Sequence, residues 1–422
     1  MPKIVEYIIN FLLFNNQHLV KEIGYTNSEK EFEKYRIIII PSRFFDKDFY
    51  GTKNSIPVLP LQKIDGAEVL FGTPEIEQKN GRIFVKADII AGSFFLLSRY
   101  EEWVCSDVFD VYTRFEGKKS LPFRAEFLHR PLVDEYAALL RKWLKMTGLQ
   151  VNEPKYEISK IYLTHDIDIF AYNCNLRLML SVLRQKIISF KDIIRSLSSI
   201  KKDKAYTFDW LVEQDLTVKN AEKVFFIKAV KNAKGIDYPM YNLKSRTFQN
   251  LLKFFAENSC KVGLHASCMS FNHPQLIENE QQRLSIAAAQ NITLNRCHFL
   301  RILPPDMPQY YKNAGIVDDF SLSFSDIAGF RLGTCRPVQW INPKTLEIEP
   351  ITLHPLLIME CTLGDKRYMN LSFDRAFDLC KNLLEQTKKH NGEAVLLFHN
   401  TAVINDYYRM LYEKIIELLK LS

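Results

Sequence analysis

From residue 160 onward, short apolar runs alternate with amphipathic segments, and this alternation limits the fold more than any other feature of the chain. The runs KIYLTHDID, KVFFIKAV, CKVGLHAS, NRCHFLRI, GIVDDFS, AGFRLGT, LHPLLIME and AVLLFHN have strand length and carry many β-branched and aromatic residues. Helical segments lie between several of them, among them SRTFQNLLKFFAEN, IENEQQRLSIAAAQN and FDRAFDLCKNLLEQTKKHN. Strand followed by helix, repeated, predicts a parallel sheet, because parallel strands need a long crossover. Seven or eight such units over roughly 265 residues predict a (β/α) barrel.

The first third reads differently. YRIIIIPS is a strand stopped by Pro41, and GRIFVKADIIAGSFFLLSRYEEW is a strand followed by a helix from about Ala87. RPLVDEYAALLRKWLKMTG is an amphipathic helix closed by Gly148. The polar LQVNEPKYEISK then places a boundary near residue 152. The fold class expected is therefore α/β: a smaller N-terminal α/β domain over residues 1–152 and a (β/α) barrel over 153–422.

The formal net charge of +7 on 422 residues is mild, which argues against nucleic acid as the partner. No run of about 18 apolar residues predicts a membrane span. The apolar start MPKIVEYIINFLLF is short and carries Glu6, so it reads as a first helix or strand rather than a signal peptide. The eight cysteines are scattered without a CxxC pair and read as reduced thiols, consistent with a cytoplasmic protein.

In barrels of this kind chemistry gathers at the C-terminal ends of the strands. Here Asp166 and Asp168 end the first run, His265 ends KVGLH, Arg296 and His298 lie on NRCHFL, and His399 ends AVLLFH. In an extended segment Asp166 and Asp168 face one side while His165 and Ile167 face the other. A carboxylate with histidines suits a divalent first-row metal such as zinc. A second carboxylate is placed to take a proton from water, and a histidine opposite to protonate a leaving group. Arg331 and Arg336 lie among Gly329, Gly333 and Pro337. Arg331 is read either as holding Asp166 ionised or binding substrate, or as pairing with surface acids.

These motifs resemble those of the polysaccharide deacetylase family, over residues 158–422. The family opens with a Thr-x-Asp-x-Asp type of strand end, matched by Thr164, Asp166 and Asp168. GLHAS resembles its second motif, NRCHFLRI followed by AGIVDDFS its arginine motif, and LLFHN its last. The resemblance implies a deformed (β/α) barrel that removes acetyl groups from N-acetyl sugars. It implies Asp166 as catalytic base, His399 as general acid, and Asp168 and His265 as metal ligands. Zinc is the expected metal, with cobalt or nickel as alternatives. Met269 stands four residues after His265, where the family has a histidine, so the third ligand is His298 or else His273. Arg296 and Arg331 are candidates for orienting the base or binding substrate.

FFLLSRYEEW, THDID, GLHAS, RCHFLR and GFRLGT together resemble a bacterial subgroup with an extra N-terminal domain of unknown function. That domain lacks a comparable His and Asp cluster and is expected not to be catalytic. Its Arg99, Glu101 and Glu102 read as a helix end that pairs with the barrel. The substrate implied is an N-acetylated glycan or a lipid- or nucleotide-linked sugar precursor. Two further readings stand beside this one: an inactive glycan-binding scaffold, and a metal-dependent hydrolase of another C–N bond.

Overall fold

The computed structural model describes residues 3–231, 233 and 235–420. Seven strands form a ring: β1 (Lys160–Ile167), β2 (Ala221–Ile227), β3 (Cys260–Ala266), β4 (Leu294–Cys297), β5 (Asp318–Leu322), β6 (Glu347–Met359) and β7 (Glu393–Leu397). Each runs parallel to the next, β5 pairs directly with β6, and β7 returns to β1. This is a closed parallel barrel, the (β/α) architecture expected. A further strand, Val338–Asn342, runs antiparallel to β6 and lies outside the ring.

Alternation along each strand sorts side chains inward and outward. Tyr162, Val224, Phe226, Phe320, Leu356, Val395 and Leu397 belong to one buried cluster, which fills the barrel interior. Gly263 makes room for it, since a Cβ there would meet the Phe226 ring at 2.5 Å. Outward residues such as Leu163, Phe225, Leu264 and Leu396 join the larger core beneath the helices.

The expectation of a strand at AGFRLGT is not met. Residues 328–334 are a buried turn. Gly329 and Gly333 have φ of 148° and 64°, which no regular strand contains. The segment is apolar because it packs on the N-terminal part, where Phe330 N–H donates to Leu128 O and Val133 N–H to Gly333 O.

Residues before the barrel build a separate sheet. Ile23–Tyr25, Ile37–Ile39 and Arg82–Ala87 are parallel, and Gly72–Lys79 pairs antiparallel at the edge. Helices Lys3–Leu13 and Leu132–Met146 are amphipathic, whereas Ile89–Leu97 is buried at every position, as its apolar sequence requires. One continuous apolar core runs from this sheet into the helical layer of the barrel. Charged groups reinforce the junction. Buried Asp134 accepts from Thr334, the Cys335 backbone N–H and Arg336, while Glu102 forms a two-bond pair with Arg331.

Candidate metal centre

The C-terminal ends of β1, β3, β4 and β7 bring Asp166, Asp168, His265, Arg296, His298 and His399 to one cleft. Asp166 points inward from β1, and Asp168 follows the strand end on the same side. His265 Nε2 lies 3.3 Å from Asp168 Oδ1 and 3.7 Å from Asp166 Oδ2. His298 Nε2 lies 3.3 Å from the same Asp168 Oδ1. His298 follows the end of β4 and lines the cleft, and the two residues after it, Phe299 and Leu300, have φ of 62° and 53°, uncommon for such side chains. His165 faces outward, between Phe398 O at 2.8 Å and Asp215 at 3.0 Å.

The donor set fits a divalent cation. Asp168 Oδ1 and His265 Nε2 are buried and have no hydrogen-bond partner, a costly state for polar atoms. Bonds of about 2.0–2.1 Å at tetrahedral angles give ligand separations of about 3.3–3.4 Å, which the 3.3 Å contacts match. The outer ring nitrogens are held in the manner usual for ligating histidines. His265 Nδ1 faces Arg296 O at 3.0 Å, and His298 Nδ1 faces Asp237 at 2.8 Å. Asp237 is itself fixed by the backbone N–H groups of Cys268 and Met269. His273 lies on an exposed turn outside this group of donors.

Two groups flank the centre. Asp166 Oδ1 is 3.4 Å from the Arg296 guanidinium, which also donates to Phe320 O and lies over the Phe226 ring. Across the cleft His399 Nε2 is 3.7 Å from Asp168 Oδ2, and its Nδ1 is 2.6 Å from Glu360. Glu360, Cys361 and His399 also lie together, but they bond among themselves, the Cys361 thiol donating to Glu360 at 3.1 Å.

Electrostatics follow from these contacts. Burial opposes charge at Asp168, yet His298 and His265 hold its carboxyl well below the usual range. Burial likewise opposes a charged His399, and Glu360 beneath it raises the ring well above an ordinary histidine. Buried Lys228, just past β2, is pushed down by desolvation while Asp168 pulls it back.

Arg331 is not part of the cleft chemistry. Its guanidinium is engaged by Glu102 and Ser323 O, so it serves the junction with the N-terminal part, and Arg296 is the arginine beside Asp166. The N-terminal part does reach the cleft. Arg114 lines it, a residue the sequence did not single out. It is held by Asp110, Phe299 O and Tyr368. The cleft encloses about 310 Å³, and Arg367, Tyr368 and Tyr408 also line it. Glu360 and Asp237 are also absent from the sequence reading. Glu360 had a signal, as the acid closing LHPLLIME; Asp237, in a short turn, had none.

Residues 3–148 match a family of unknown function, DUF7033. No curated protein matches the sequence. Among solved structures, a Mycobacterium smegmatis protein assigned as a polysaccharide deacetylase is similar at 14% identity and a TM-score of 0.40, over 64% of this chain and 87% of that one. The PuuE allantoinase is similar at 10% identity and a TM-score of 0.39, over 64% of this chain and 89% of the other.

Proposed function

We propose that the protein is a metal-dependent hydrolase that removes an N-acetyl group from a sugar of a cell-surface polysaccharide or its lipid- or nucleotide-linked precursor. The observation that carries this reading is the convergence of Asp168 Oδ1, His265 Nε2 and His298 Nε2, two of them without partners, between Asp166 and His399. These three residues would hold the cation, zinc by donor type, with cobalt or nickel as alternatives. When bound, it supplies Lewis acidity toward an acyl oxygen and toward water.

The chain's own groups do the rest. Asp166 Oδ2 lies 3.7 Å from the ligand atom His265 Nε2 and takes the proton from the attacking water. Arg296 keeps Asp166 in place through its 3.4 Å contact. Loss of an amine from the tetrahedral intermediate needs a proton at nitrogen, and His399, held through Nδ1 by Glu360, presents Nε2 to the cleft to give it. Arg114 and Tyr368 border the space in which the sugar would lie. Hydrolysis of another C–N bond would use the same groups with a different fit.

The test is acetate release from N-acetylated oligosaccharides and lipid-linked sugars by protein loaded with zinc, cobalt or nickel, with metal content measured on the same sample. Release that depends on added metal supports the reading. Metal binding without release of acetate or amine from any substrate, combined with glycan binding, would favour a scaffold.

A further inference from the structure

Between Asp168 and Asn220 the chain leaves the barrel and forms a helical hairpin, Leu176–Arg184 and Phe190–Ser198. Its inner side is ordinary core: Val182, Ile188, Ala205 and Tyr172 pack together. Its outer side is not. Phe190, Ile194 and Leu197 stand at i, i+4 and i+7 on one helix face and are 71%, 66% and 75% exposed. Leu176, Leu180 and Ile187 are exposed on the adjoining helix and turn. Single exposed apolar residues are common, whereas a run of them along one element marks a surface that meets something.

Charge identifies what it meets. Residues 176–204 carry Arg177, Arg184, Lys186, Lys191, Arg195, Lys201, Lys202 and Lys204 against Asp192 and Asp203, so this segment holds +6 of the formal +7 of the whole chain. The two acids are already engaged. Asp192 caps its own helix through Ser189 and pairs with Lys204, and Asp203 accepts the backbone N–H groups of Tyr172, Asn173 and Ala205. A second copy would bring +6 against +6. Nucleic acid would satisfy the cations and leave the Phe190 stripe in water. A bilayer with anionic headgroups satisfies both: the stripe enters the boundary between headgroups and chains, and the cations meet the lipid charge.

We propose that this hairpin docks the protein reversibly on an anionic membrane surface. Its stems fix where the cleft then sits. Asn400, next to His399, donates through Nδ2 to Ile169 O and Ala205 O, and Thr207 donates to Asn400 O. The hairpin therefore stands on the rim that carries His399, and docking brings that rim towards the bilayer. Taken with the hydrolase reading, on which this clause rests, the substrate is a lipid-linked glycan rather than a soluble one. The docking itself stands apart from that reading.

Sedimentation of the full chain with phosphatidylcholine vesicles, with and without phosphatidylglycerol, tests it. Binding is expected only with phosphatidylglycerol and should fall as salt rises. The combined variant Phe190→Ser, Ile194→Ser, Leu197→Ser should bind more than about tenfold less, since the apolar burial is lost. Lys191→Glu and Arg195→Glu should each weaken binding by at least about fivefold. The positions are exposed, so unchanged thermal unfolding checks that the variants fold. Asp168→Ala should sediment like wild type, which separates docking from catalysis. Wild type left in the supernatant, or a triple variant that sediments as well as wild type, overturns the proposal. So does a wild-type dimer that the triple variant dissolves while neither binds vesicles.

Discussion

At the N-terminal end of the barrel, His354 lies between two carboxylates, with Nδ1 2.7 Å from Glu393 and Nε2 3.1 Å from Asp318. At the C-terminal end, His265 lies 3.3 Å from Asp168 and 3.7 Å from Asp166. The residue types are the same, and along β7 inward-facing Val395 and Leu397 separate Glu393 below from His399 above. Below, both ring nitrogens are used, and Phe320 stacks on the ring at 4.4 Å. Above, His265 Nε2 and Asp168 Oδ1 have no hydrogen-bond partner. A cluster that saturates itself holds strands together, and a cluster that leaves buried atoms unpaired has stored binding capacity. Composition alone does not separate the two; the count of satisfied atoms does.

The contrast breaks most sharply on the metal. Asp168→Ala should reduce bound zinc from about one equivalent to near none and take activity below detection, because it removes a ligand shared by two histidine contacts. His354→Gln should leave metal content unchanged. Elemental analysis of both variants decides this, and full occupancy in Asp168→Ala would mean the ligand set is wrong.

Proton transfer comes next in size. Asp166→Asn and His399→Ala should each lower kcat by about 10²–10⁴-fold with metal retained. Equal rates to wild type in either would remove that group from the chemistry.

Smaller losses are expected from the residues that hold these groups. Asp237→Ala should weaken metal affinity by about 10–100-fold, since it removes the acceptor that holds His298 Nδ1. Glu360→Gln should lower kcat while leaving metal affinity unchanged, because its side chain bonds to His399 and Cys361 and to none of Asp168, His265 and His298. A metal titration beside the rate measurement keeps the two effects apart.

The lower cluster should affect activity least and stability visibly. Burial opposes charge on His354, but Asp318 and Glu393 push its pKa up to about 9. The folded protein thus binds this proton more tightly than the unfolded chain, whose histidine titrates near 6.5. The stabilisation is complete below about pH 6.5 and is lost as pH rises to about 9. It is worth on the order of 3 kcal/mol at most. Denaturant unfolding of wild type and His354→Gln at pH 6 and pH 9 should show a gap that narrows at the higher pH. A gap independent of pH would show that His354 is not charged in the fold.

The alternation of strands and helices after residue 160, and the habit of placing His and Asp at strand ends, were written locally. Periodicity of two decides which side chains face inward, so Asp166 and Asp168 share a side and His165 does not, whatever the rest of the chain does. Glu360 directly follows the end of β6, as an acid at a strand end, and was legible in principle. AGFRLGT misled because burial under the N-terminal part makes a turn as apolar as a strand, and only its two positive-φ glycines mark the difference. Other features had no local code at all. Arg114 enters the cleft, Arg331 turns to Glu102 229 positions away in sequence, and Asp237 reaches His298 from a turn. The Asp237–His298 pairing exists because closing seven strands into a ring brings distant loops over one mouth, and the places of Arg114 and Arg331 because the N-terminal part packs against the barrel. The sequence by itself determined the strands, their faces and the chemistry available at their ends. Only the tertiary structure decided which polar atoms found partners and which were left unpaired, because satisfaction of a buried atom depends on every group that closure packs against it.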